Sequence, residues 1–318
     1  MKKYITPIVF IVGIFLLHTA LTAGIRILTG ILSRGDMETT LLVGRLGAFG
    51  VPAIIVGLIT VAVIILIVKL RKGSVKETFY LRKPKAKNIG FAILLGLLLA
   101  VLSNSYSIAR LFSANIDFGH LQSAEISGML VRSALGLLVG FIVAIIPVVF
   151  SELMFRGAIF SEMRKLAKPK LAIAILVAAN LVIVVLTMWL AARLMPNLSV
   201  LVFLFHPTFV VTVFVGVLVS LVLYTLCYKS NSIWVPIAAS VMFASLANVL
   251  DSMLEWIILM SSSPRETGDI INTWVYLVGG GIPPNETSVI AVILVTASVA
   301  AVIGVVLWRM IANNKKED

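Results

Sequence analysis

Long apolar runs, broken by short polar stretches, set the frame of this chain. Eight runs fall at about residues 5–32, 41–68, 89–112, 131–160, 171–190, 200–226, 233–260 and 287–308. Each is long enough for a helix to cross a bilayer, which takes about 20 apolar residues. The pattern predicts an all-α polytopic membrane protein of about eight spans. The first run follows Lys2 and Lys3. It is too long for a signal-peptide core and lacks a clean small-x-small cleavage site, so it reads as a span. The longest polar break after span 7, Ser261 to Asn285, holds Pro264, Gly279-Gly280-Gly281 and Pro283-Pro284. In it, Trp274 and Tyr276 suit interfacial anchoring. In span 4, Gly136-x-x-x-Gly140 is a spacing that permits close helix packing. No internal repeat is visible.

Composition agrees with the pattern. The chain is 60% hydrophobic and only 13% charged, against about 25% charged in soluble domains. A net charge of +12 would suit nucleic acid, but the placement of the charges excludes that partner. Lys69, Arg71, Lys72, Lys76, Arg82, Lys83, Lys85 and Lys87 follow span 2, and Arg164, Lys165, Lys168 and Lys170 follow span 4. Arg309, Lys315 and Lys316 close the chain, whereas the opposite loops hold mainly Arg34, Arg193 and Arg265. By the positive-inside rule both termini lie in the cytosol, with the basic loops against the anionic leaflet of a plasma membrane, bacterial in type. The lipid bilayer is therefore the one partner that composition names. The single Cys227 allows no intrachain disulfide and no cysteine-based metal site. His18, His120 and His206 show no HExxH spacing. No metal and no cofactor are expected.

Polar residues inside the apolar runs carry the candidate chemistry, because they are costly there. The stretch from Ser151 to Gly157 holds Glu152 and Arg156 four residues apart, acid first, the favourable order for a helical ion pair. Counted along the helices, Glu152, Arg156, Asn180 and Ser240 share a depth on the cytosolic side and are expected to face one cavity. Ser240, Ala244, Asn248, Asp251 and Glu255 lie on one face of span 7, whose outer half is acidic. His206 starts span 6 at a similar outer depth. Plain structural readings stand beside these. Glu152 and Arg156 neutralise each other, and Asn180 and Ser240 act as interhelical hydrogen-bonding groups. Asp251 and Glu255 reach water or pair with Arg193 or Arg265, and His206-Pro207 is a helix-start kink. Imidazole and carboxylates are metal-ligand types, so a metal site at His206, Asp251 and Glu255 is geometrically conceivable, but the plain structural readings outrank it and no metal is expected there.

Ser151-Glu152-x-x-x-Arg156-Gly157 resembles the first motif, Glu-Glu-x-x-x-Arg, of the CAAX protease and bacteriocin-processing (CPBP) family of intramembrane proteases. Leu81-Arg82-Lys83-Pro84, Phe214-x-Gly216, Tyr224 and Asn231-Ser232-Ile233-Trp234-Val235-Pro236-Ile237 are similar to further family segments. On this resemblance, residues 80–255 form the core, 1–79 the N-terminal helices and 256–318 an outer loop and last helix of one membrane domain.

The resemblance implies a helical fold with a site open to the cytosolic leaflet. In active members, the first Glu of that motif and a His in a later Phe-x-x-x-His motif activate water for peptide hydrolysis. A His-x-x-x-Asn motif stabilises the oxyanion. Here Ser151 stands at the first Glu, Leu176-Val177-Ala178-Ala179-Asn180 aligns with the second motif, and Ser240 and Ala244 stand at the third. A serine or an amide is no general base at neutral pH, and losing an oxyanion donor costs about 10²–10³-fold. The expectation is a degenerate member that holds a membrane protein, lipid or peptide in a groove between spans 4, 5 and 7. The alternative is an active endopeptidase using Glu152 as its base. A small transporter is a third class, disfavoured by the missing repeat symmetry. The sequence leaves the oligomeric state open.

Overall fold

The computed structural model describes residues 2–32, 51–105, 145–194, 207–261 and most of 294–309. These residues are helical apart from short connections, and they include no strand. In chain order they form α1 (Lys2–Leu32), α2 (Val51–Leu70), α3 (Val75–Thr78) and α4 (Ala86–Ser103). A π-helical segment (Leu153–Ile159) follows and runs directly into α5 (Phe160–Leu166). Then come α6 (Pro169–Leu194), α7 (Pro207–Ser230) and α8 (Trp234–Ser261).

Among the described residues, stretches in α1, α2, α4 and α7 are long and apolar enough to cross a membrane. The described parts of α6 and α8 are shorter apolar helices. The protein is thus an all-helical polytopic membrane protein. The beginnings of spans 2 and 4, much of span 8, the Gly136-x-x-x-Gly140 spacing and the Ser261–Asn285 loop lie outside the described residues.

Two compact units share the chain. The first gathers Met1–Gly96, Gly136–Val177 and Leu221–Ser245. The second gathers Leu97–Leu135, Ala178–Ser220 and Leu246–Asp318.

In the first unit, α1 packs on α2 and on α5, and α2 also packs on the π segment. Its core includes Phe10, Ile64, Phe79, Phe160, Tyr224 and Ile233. Large apolar side chains remain on the outside, with Leu16 at 65% and Leu70 at 74% exposure. An apolar exterior over an apolar core is what lipid solvation permits and water does not. Helices approach closely at glycines. A Cβ on Gly96 of α4 would stand 2.4 Å from the Ala239 carbonyl oxygen of α8. Only a residue without a side chain allows that crossing.

The basic segment between α2 and α4 is more ordered than a topogenic loop requires. Ser74 caps α3, its Oγ accepting from the Glu77 N–H at 3.3 Å. Phe79 is 1% exposed and lies under Gly157, where an added Cβ would come within 2.8 Å of its ring. Tyr80 and Asn231 both take positive φ, 51° and 49°. These two turns dock on each other. The Ile233 N–H donates to the Tyr80 carbonyl at 3.0 Å, and Ser232 Oγ donates to the Arg82 carbonyl at 2.6 Å. In this way the Leu81–Pro84 and Asn231–Ile237 stretches, far apart in sequence, become neighbours.

In the second unit, polar side chains bond across helices. Asn180 on α6 donates its amide to the Ser220 hydroxyl on α7. Asn104, just past α4, donates to the Ala100 carbonyl at 3.0 Å and to the Ala247 carbonyl of α8 at 3.4 Å.

Candidate functional site: a buried glutamate latch

The helix that begins before residue 153 changes register at Leu153–Ile159. There the Phe160 N–H bonds to the carbonyls of Phe155 and Gly157 rather than to that of Arg156. The Arg156 carbonyl instead accepts the Cys227 thiol at 3.3 Å. Single-turn π segments of this kind are rare and concentrate at functional sites.

Glu152 stands just before this segment and is 2% exposed. Its Oε1 accepts from Arg156 Nη1 at 3.0 Å and from the Ser240 hydroxyl of α8 at 2.7 Å. Arg156 and Ser240 are each 6% exposed. The guanidinium lies over the Tyr224 ring at 4.9 Å and, more loosely, beside Phe155 at 6.0 Å. An arginine held between a carboxylate and an aromatic face is fixed by charge on one side and by the ring quadrupole on the other. Glu152 Oε2 and Arg156 Nε make no hydrogen bond among the described residues.

The sequence-derived candidates are divided between the two units. Ser151, Glu152, Arg156, Ser240 and Ala244 belong to the first unit. Among them, Glu152, Arg156 and Ser240 form one hydrogen-bonded group, while Ser151 and Ala244 are half-buried. Asn180 belongs to the second unit, where its partner is Ser220. His206 and the side chains of Asn248, Asp251 and Glu255 lie outside the described residues.

Several members of the cluster were not among the candidate site residues. Tyr224 and Cys227 sit three apart on α7, both fully buried, and serve Arg156 from one helical face. Their spacing was visible, but nothing local marks them as partners of an arginine in another helix. His18 and Phe15 of α1 pack edge-on to the Phe155 ring, with centroids at 6.4 and 5.6 Å. Outside the apolar spans, burial raises the Tyr80 hydroxyl above its ordinary pKa, and Arg164, bonded to it at 3.0 Å, opposes that shift.

Residues 133–246 match the family described as type II CAAX prenyl endopeptidase Rce1-like. Over that stretch the chain is similar to the CAAX protease family. The stretch that matches this family holds Glu152, Arg156, Tyr224, Cys227 and Ser240, the whole hydrogen-bonded and stacked group. The α1 residues that flank it, Phe15 and His18, come from outside the matched CAAX protease stretch. No curated protein and no solved structure matches the chain.

Proposed function

We propose that this chain is a catalytically degenerate CAAX-protease-family protein. In this reading it holds a membrane protein, lipid or peptide in the region of the former active site. One observation carries the reading. The acid retained by the motif, Glu152, is engaged by Arg156 and by Ser240, the residue that stands where the histidine of the family's third motif would be. A carboxylate that neutralises a buried guanidinium and accepts a hydroxyl is held as a structural group, because freeing it would leave Arg156 charged in an apolar core. Ser151 supplies no carboxylate beside it. The basic segments around residues 69–87 and 164–170 support a cytosolic placement for that region and for both termini; the membrane of this reading is a bacterial plasma membrane.

One observation favours the rival, an active intramembrane endopeptidase. Glu152 Oε2 has no hydrogen-bond partner among the described residues, and such an oxygen suits activation of a water. Cleavage of a diverse peptide library by the purified protein in nanodiscs decides between them, with Glu152→Gln and an active family member run in parallel. The expected result is no cleavage by this chain while the control cleaves. Cleavage that vanishes in Glu152→Gln would overturn the degenerate reading and make Glu152 the base.

A further inference from the structure

A second charged assembly lies in the first unit, apart from Glu152. The start of α1, the end of α2, α3 and α5 line a pocket of about 460 Å³. Its polar lining includes Thr6, Arg71, Glu162 and Lys165. Glu162 is 5% exposed, and its Oε1 accepts from Lys165 Nζ at 2.6 Å and lies 4.0 Å from Arg71 Nη1. Arg71 also donates to the Thr6 carbonyl at 3.4 Å and stacks over Phe10 at 4.9 Å. One buried acid thus positions two cations, and the group keeps a net positive charge.

The two cations remain accessible, with Arg71 at 34% and Lys165 at 60% side-chain exposure. An arginine offers five N–H donors and a lysine three, more than these contacts use. Exposed Lys69, Lys72, Lys76, Arg164 and Lys168 surround the assembly in sequence and add a field of the same sign. Ile5 and Leu70, each next in sequence to a lining residue, are apolar and exposed at 53% and 74%.

We propose that this pocket binds the phosphate of an anionic phospholipid, with Arg71 and Lys165 on the headgroup and the acyl chains along the exposed apolar residues of α1 and α2. Free phosphate shares the headgroup chemistry but gains nothing from Ile5 and Leu70, so the lipid is the favoured source. Glu162 acts as a positioning residue that keeps both cations at the pocket. The inference is independent of the reading of Glu152.

The test is thermal stabilisation of the full chain in neutral detergent, titrated with short-chain phosphatidylglycerol, short-chain phosphatidylcholine or inorganic phosphate. A ligand that binds the folded form raises the melting temperature in proportion to its occupancy. Phosphatidylglycerol is expected to stabilise the wild type more than the other two. Arg71→Gln with Lys165→Gln is expected to weaken its apparent affinity about tenfold or more. Lys85→Gln with Lys87→Gln, which removes the same charge outside the pocket, is expected to bind like the wild type. No shift with phosphatidylglycerol overturns the proposal. So does an equal shift in the pocket variant, or an equal loss in the Lys85/Lys87 control. A phosphate response matching that of phosphatidylglycerol transfers the site to a soluble anion and overturns the lipid assignment. Should the double variant not fold, Lys165→Gln alone carries the test, since that side chain is largely solvent-exposed.

Discussion

Two ion clusters in one unit use nearly the same parts to opposite ends. At Glu152, one carboxylate oxygen takes an arginine and a hydroxyl, and every partner is at most 7% exposed. At Glu162, one carboxylate oxygen takes a lysine and lies near an arginine, and the cations are 60% and 34% exposed. Both acids are buried; the cations differ. Burial of the cation decides the role. A sealed guanidinium needs its carboxylate at all times, because an unpaired charge in the apolar core is costly. An exposed ammonium is solvated whether or not the carboxylate is there, so the pair itself contributes little and the cation is free to bind something else.

The comparison breaks most sharply at Arg156. Arg156→Ala strands Glu152 and is expected to cost about 3–5 kcal/mol, read as a large fall in melting temperature and folded yield. A loss no greater than that of a surface variant would show the pair is not sealed. Ser240→Ala removes one hydrogen bond to a charged acceptor and should cost about 2 kcal/mol, leaving the ion pair in place. A cycle with Glu152→Gln tests this, since the serine effect should shrink when the charge is gone. Gly157→Ala pushes a methyl against Phe79 and is expected to cost about 1–2 kcal/mol by overpacking. A stabilising result there would mean Phe79 yields easily. Lys165→Gln should change stability by less than about 1 kcal/mol in the absence of lipid. A larger loss would place the Glu162 cluster among the sealed pairs and erase the contrast.

Much of the frame was legible because the bilayer imposes it. A span must be apolar over its whole length, so the runs announced α1, α2, α4 and α7 directly. The meeting of Glu152 and Ser240 was legible as well, since depth along two helices put both at one level. Three features were less accessible. The cap of α3 is written in the Ser74-x-x-Glu77 spacing, a helix-start signal, but a segment so rich in lysine has the composition of a cytosolic loop. Asn180 was placed by depth along its helix alone, which names no partner. Depth does not specify which way a side chain turns, and its hydrogen bond goes to Ser220. The π register has no local signature at all. Its particular residues are ordinary helix formers, and the contacts that accompany it, Gly157 on Phe79 and the Cys227 thiol on the Arg156 carbonyl, come from elsewhere in the chain.

That register carries a consequence for the residues beyond it. A helix of 3.6 residues per turn advances about 100° with each residue, so one extra residue taken up in a widened turn rotates everything downstream by that angle. Glu162 and Lys165 follow within two turns of the segment. The widened turn therefore acts as a phase shifter. It lets a single continuous rod show its acid to the core at Glu152 and, a few residues on, aim a second acid and its lysine toward α1 and α2. Were the turn to relax to ordinary pitch, one of the two clusters would lose its aim.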